Sequence, residues 1–246
     1  FFFVAMVLRW LFCLSLVFAV TSCLTIDDFY VGANTQRCDI VLQEDLNPGH
    51  PPLHAQSSIV TTGNSSHLIG DARDMETTVF SGLAGRSFES SIFSIPSGSL
   101  YVGEWAVANP KHCSSQEILQ YDGPDNSFNL DITGLGSVDF ISMGLTHIQI
   151  AVVTDLPVLY TTTFYDNDGG ICELYFNIPS TPINYSYDEI LFSVPISSST
   201  SCNWKKIGAI EISVYATDAV DTLVRIFEAI SSSTAPTPTP TPTPTP

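Results

Sequence analysis

The sequence predicts an all-β protein, an antiparallel β-sandwich of jelly-roll type. Three observations carry that prediction. Alternating runs such as His147-Ile148-Gln149-Ile150-Ala151-Val152 and Ile210-Glu211-Ile212-Ser213-Val214-Tyr215 send successive side chains to opposite faces. Such runs recur at roughly ten-residue spacing, as the short strands of sandwiches do, and no segment shows an amphipathic helical period. Charged residues make up only 13% of the chain, about half the usual quarter, which argues against long helices and coiled coils.

Taken in order, the first half of the domain reads as strands over 57–62, 77–80, 87–94, 99–108 and 117–121. The second half reads as strands over 128–131, near Phe140, and over 147–154, 159–166, 172–178, 187–194, 207–216 and 222–230. Between them, Asp122-Gly123-Pro124-Asp125-Asn126, Thr133-Gly134-Leu135-Gly136 and Asp166-Asn167-Asp168-Gly169-Gly170 supply turn chemistry. Glycine reaches positive φ there, and Asp or Asn bonds nearby backbone. The last of the three reads as a hairpin tip.

The ends differ from this domain. Residues 1–22 hold a single charge, Arg9, then the apolar run from Trp10 to Val20 and small residues, the layout of a signal peptide cut after Ser22. The alternatives are an uncleaved membrane anchor and lipidation of Cys23 in a lipobox-like Val20-Thr21-Ser22-Cys23. Residues 23–230 form the β-sandwich domain. Residues 231–246 lead from serines into strict Pro-Thr alternation, which removes backbone donors and favours an extended stalk. The repeat stops in mid-pattern, so a continuation carrying a further domain or an anchor is expected.

With 25 acidic against 8 basic residues and a net charge of -17, binding to nucleic acid through a basic patch is excluded. An address outside the cell, secreted or on the surface, follows from the signal and fits the sequons at Asn64 and Asn184 as N-glycosylation candidates. In an oxidising compartment, Cys38, Cys113, Cys172 and Cys202 are disulfide candidates. Three pairings are open. Cys38 with Cys113 and Cys172 with Cys202 is preferred, because each joins one half of the domain.

One set of motifs has a family resemblance. Leu119-Gln120-Tyr121-Asp122-Gly123-Pro124-Asp125, then Asp131-Ile132-Thr133-Gly134-Leu135-Gly136-Ser137-Val138-Asp139-Phe140, resembles the extracellular β-sandwich of cyanobacterial-type PEP-CTERM surface proteins. Ile69-Gly70-Asp71-Ala72-Arg73-Asp74, Phe164-Tyr165-Asp166 and Ile207-Gly208-Ala209-Ile210-Glu211-Ile212 extend the resemblance over roughly residues 26–230. The sorting motif and its hydrophobic tail are replaced by the Thr-Pro segment. The resemblance implies a secreted or surface sandwich similar in outline to galactose-binding-like and carbohydrate-binding modules, and it brings no catalytic residues to carry over.

Candidate chemistry is sparse. No Gly-x-Ser-x-Gly elbow occurs, and His50 and His54 sit among prolines that prevent a helix from aligning them as metal ligands. Glu104, Glu117, Glu173 and Glu211 are the carboxylates a glycosidase would draw on. Calcium is the one cofactor worth carrying, at Asp166, Asn167 and Asp168, with Asp122, Asp125 and Asn126 offering a similar loop. Tyr101 and Trp105, an even number of residues apart, and loop-borne Trp204 are the candidate carbohydrate platform. The expected role is a non-catalytic adhesion, matrix or carbohydrate-recognition module. Its partner would be an extracellular glycan or surface protein, with membrane contact only through a signal or anchor. A secreted glycan-acting hydrolase and a purely structural coat domain are the alternatives.

Overall fold

The computed structural model describes residues 22–30, 36–47, 49–60, 67–97, 100–125, 127–181 and 190–231. Thirteen strands follow one another: β1 (Cys23–Asp27), β2 (Gln36–Val41), β3 (Leu53–Val60), β4 (Ala72–Ser81), β5 (Ser87–Ser97), β6 (Leu100–Ala108) and β7 (Ser114–Tyr121). The second half adds β8 (His147–Thr154), β9 (Val158–Asp166), β10 (Ile171–Ile178), β11 (Ile190–Pro195), β12 (Ile207–Thr217) and β13 (Asp221–Ile230). One sheet runs β11-β8-β13-β6-β5-β2, with β1 added to β13, and the other runs β10-β9-β12-β7-β4-β3. All pairs are antiparallel.

From β6 to β13 the chain winds between the sheets as a jelly roll, which places the late strands β12 and β13 inside the sheets, beside the early β7 and β6. β2 to β5 widen both sheets. Alternation produces the core: β10 reads exposed-buried throughout, with Cys172, Leu174, Phe176 and Ile178 inward. Trp105 is fully buried and meets Tyr160 edge-on at 6.1 Å between ring centroids. Trp204 closes one end of the core against Phe140 and Phe164, with its indole N–H donating to the Ser199 carbonyl at 3.0 Å.

Polar groups also cross the interior. Asp27 of β1 accepts from Arg73 of β4 and from the Tyr121 hydroxyl of β7, the latter at 3.0 Å, and all three residues are essentially inaccessible. This cluster fastens the first strand to the opposite sheet.

The structure departs from the expected elements in three places. β1 and β2 are strands that residue spacing did not signal. Neither residues 128–131 nor Phe140 forms a strand: Asp122 accepts from the backbone N–H of Asp131 at 2.8 Å, and Gly134 lies so close to the Asp122 carbonyl that a Cβ would collide with it. Cys172 and Cys202 are bridged, but Cys38 and Cys113 are free. Those two belong to separate apolar clusters; Cys38 donates to the Met75 carbonyl, whereas Cys113 packs beside Leu42, Val79 and Phe88. Asn64, Asn184 and the Pro-Thr segment lie outside the described residues, as does the signal segment through residue 21.

Candidate functional site

Burying Met75, Val79, Leu119, Ile212, Val214 and Phe164 inside the sandwich forces their strand neighbours outward. The register then aligns those neighbours in ranks across the six-stranded sheet. One rank runs Tyr215, Gln116, Thr78 and His54. The next crosses all six strands as Tyr175, Thr161, Ser213, Ile118, Glu76 and Gln56. A third runs Glu173, Thr163, Glu211, Gln120, Asp74 and Ser58. With ~4.8 Å between strands, a full rank is about 24 Å across.

Tyr175 and Tyr215 are 51% and 50% exposed, so their rings are open to a ligand. Phe80 supports Tyr215 at 5.8 Å between centroids. Tyrosine hydroxyls also hold the carboxylates in place: Tyr165 donates to Glu211 and Tyr175 to Glu173, each at 2.5 Å. His54 Nδ1 meets Glu76 at 3.0 Å and the Thr78 hydroxyl at 2.9 Å. Phe128 reaches in from the loop after β7 and caps a recess of about 30 Å3 between Glu76, Ile118, Gln120 and Glu211. An apolar groove of about 430 Å3 flanks Leu159 and Asn177, the outward pair at the far ends of β9 and β10.

The three ranks carry four carboxylates and neither lysine nor arginine. Burial, and then the nearby Asp122 and Asp125 charges, push the Asp74 carboxyl up to about 6, against a hydrogen bond from Ser58. Glu211 is likewise raised, mainly by burial, with Asp122 and Glu76 adding to it and the Tyr165 hydroxyl opposing. Asp74, Asp122 and Asp125 each present an oxygen within 4.8 Å of the others, an arrangement with the hard donors a divalent cation takes.

No family model and no curated protein matches the chain, so the PEP-CTERM resemblance gains no support there. Several solved structures overlap it loosely. A family 11 carbohydrate-binding module from a Clostridium thermocellum cellulosomal cellulase is 12% identical, with 78% of this chain and 96% of that one covered at a TM-score of 0.34. An exo-β-agarase is 11% identical over 57% of this chain at 0.38, and a bacteriophage CBA120 tailspike domain 8% identical over 57% at 0.35. The chain spans only 22% and 18% of those two proteins. Overlap this loose places neither a ligand nor a reaction on this chain.

The residues singled out from sequence are distributed differently. Trp105 and Trp204 are core residues, 0% and 8% exposed, and are corrected from ligand platform to packing. The Tyr101 side chain lies outside the described residues. Glu104 pairs with Arg225 at 2.6 Å in the other sheet, and Glu117 is buried between the sheets. Only Glu173 and Glu211 of the four glutamates reach the face just described.

At the β9–β10 turn, burial pushes the Asp166 carboxyl up, but backbone N–H groups of Asn203, Gly170 and Asp168 outweigh it and hold the group low. Asp168 pairs with Lys206 at 3.0 Å, and the Asn167 amide donates to the Ser137 hydroxyl at 2.7 Å. Those partners make the turn a capped hairpin tip, in which the Asp166 and Asp168 carboxylates are engaged while Asn167 Oδ1 is buried without a hydrogen-bond partner among the described residues. Tyr165, Tyr175 and Tyr215 were the residues missed. Their signal was present, as tyrosines at outward positions of alternating strands, but choosing them needed knowledge of which face is inside.

Proposed function

We propose that this chain is a secreted or cell-surface, non-catalytic module that recognises an extracellular glycan on the outer face of its six-stranded sheet. The observation that carries the reading is the pair of half-exposed rings, Tyr215 in the rank of Gln116 and Tyr175 in the rank of Glu76, on the face that also holds the rank of Gln120 and Glu211. A sugar ring offers an apolar face for stacking and a rim of hydroxyls. Aromatic rings meet the first, and carboxylates and amides meet the second with paired acceptors and donors. The sheet supplies a rigid support, so little ordering entropy is lost on binding.

The signal-like N-terminal segment and the disulfide between Cys172 and Cys202 support an address outside the cell. Among the described residues, no helix is long and apolar enough to cross a membrane. The expected result of a glycan panel titrated into the protein is saturable binding, weakened by Tyr175→Ala or Tyr215→Ala. Release of shortened sugars would replace this reading with the hydrolase, and a blank panel would favour the structural coat domain.

A further inference from the structure

Directly beneath the tyrosine face, two polar side chains point into the core, each with an oxygen that has no partner among the described residues. Thr77 of β4 and Glu117 of β7 are cross-strand partners, and both are fully buried. One Glu117 oxygen accepts from the Ser115 hydroxyl at 2.8 Å, while the other, Oε2, and the Thr77 hydroxyl have no hydrogen-bond partner among the described residues, each other included. Directly opposed side chains in an antiparallel pair have Cβ atoms about 5 Å apart, within reach of one another. Leaving both groups unbonded would cost more than joining them, and a carboxylic acid can donate where a carboxylate cannot.

Among the described residues, no cation holds a charged Glu117. On β12 the neighbour is Val214, and on β9 it is Tyr160, whose hydroxyl is bonded to Thr222 of β13 at 2.8 Å and whose titration is raised partly by Glu117. On β7 itself, Ser115 is close enough to Asn109 to bond it, at 3.4 Å. In the facing sheet, Trp105 and Val107 of β6 and Val224 of β13 are among the buried residues, and Glu104 and Arg225 pair with each other. The Asp27–Arg73–Tyr121 cluster sits four residues away along β4 and β7, about 13 Å. Burial therefore acts almost alone, opposed only by Ser115, and pushes the Glu117 carboxyl up to about 8.

We propose that Glu117 is a pH-sensitive latch: as a neutral acid donating to Thr77 it joins β4 to β7 inside the sandwich, and on ionising it loosens that seam. The sign follows from proton linkage. The folded state holds a proton that the unfolded chain releases near pH 4.5, so stability falls as pH rises from there to about 8 and then levels. Glu76, Thr78, Gln116 and Ile118 are the strand neighbours of the latch and lie on the outer face, so loosening reaches that face from below. The latch operates whether or not the face binds a glycan.

The test is urea denaturation between about pH 5 and about pH 9, with hydrogen exchange at β4 and β7, for the native chain and Glu117→Gln. The native midpoint should fall and the protection factors of β4–β7 amides, taken relative to intrinsic base-catalysed exchange, should drop toward alkaline pH. Glu117→Gln should remove most of that dependence. An unchanged pH slope in the variant would overturn the latch. Should the variant not fold, the carboxyl carbon of Glu117 in the native chain decides: a titration midpoint near 8 supports the latch, and one in the ordinary glutamate range contradicts it.

Discussion

At the scale of single residues, burial decides what a side chain contributes. Trp105 and Tyr215 are both aromatic residues on strands, yet one is fully enclosed and the other half-exposed. Spacing can establish that two residues share a face, but it does not say which face looks inward, so the sequence points to Tyr101 and Trp105 when the open rings are Tyr175 and Tyr215. The Asp27–Arg73 pair shows the same dependence on burial. Removing one partner from an enclosed ion pair leaves the other charge exposed to a low-dielectric interior, typically at a cost of about 3 to 5 kcal/mol. Asp27→Asn should therefore lower the unfolding free energy by about that amount in denaturant titration. A change within the ~0.5 kcal/mol of ordinary surface substitutions would show that the cluster does not fasten β1.

At the scale of elements, the alternating run at 210–215 was legible because one face of β12 is enclosed and the other open, whereas the run at 147–152 alternates in sequence although Gln149 and Ala151 are buried along with Ile148, Ile150 and Val152. The segment from Asp122 to Leu145 was less legible. Its structure comes from contacts distant in sequence, such as Leu135 N–H to the Gly208 carbonyl at 2.8 Å and Phe140 N–H to the Trp204 carbonyl at 3.0 Å, which local propensity does not register. The cysteines divide similarly. Cys172 on β10 and Cys202 after β11 are brought together with Cα atoms 5.2 Å apart, whereas Cys38 and Cys113 are drawn into different apolar clusters. Because the bridge closes a loop across a sequence separation of 30, replacing both cysteines by serine should cost about 3 kcal/mol in unfolding free energy. Equal stability of the two forms would show that this loop is closed by packing alone.

For the whole molecule, the two sheets divide the work. The seven-stranded sheet carries the β1 attachment and the enclosed Glu104–Arg225 pair, while the six-stranded sheet presents the aromatic and acidic face. Part of the carboxylate excess visible from composition falls on that face and on Asp122 and Asp125 beside Asp74. Since Asp74 is pushed up to about 6, the folded state holds its proton more tightly than the unfolded chain does. Stability is then lost as pH rises from near 4 through 6, and Asp74→Asn should flatten that part of the melting-temperature profile. A profile identical to that of the native protein would remove Asp74 from the account.

The most direct test of the central claim is calorimetric titration of a glycan that binds the native protein into Tyr215→Ala and Tyr175→Ala, with thermal melts run alongside. Loss of one stacked ring, at about 1 kcal/mol, should raise Kd about fivefold while the melting temperature changes little. Unchanged affinity in both variants would contradict a ligand site on the six-stranded face.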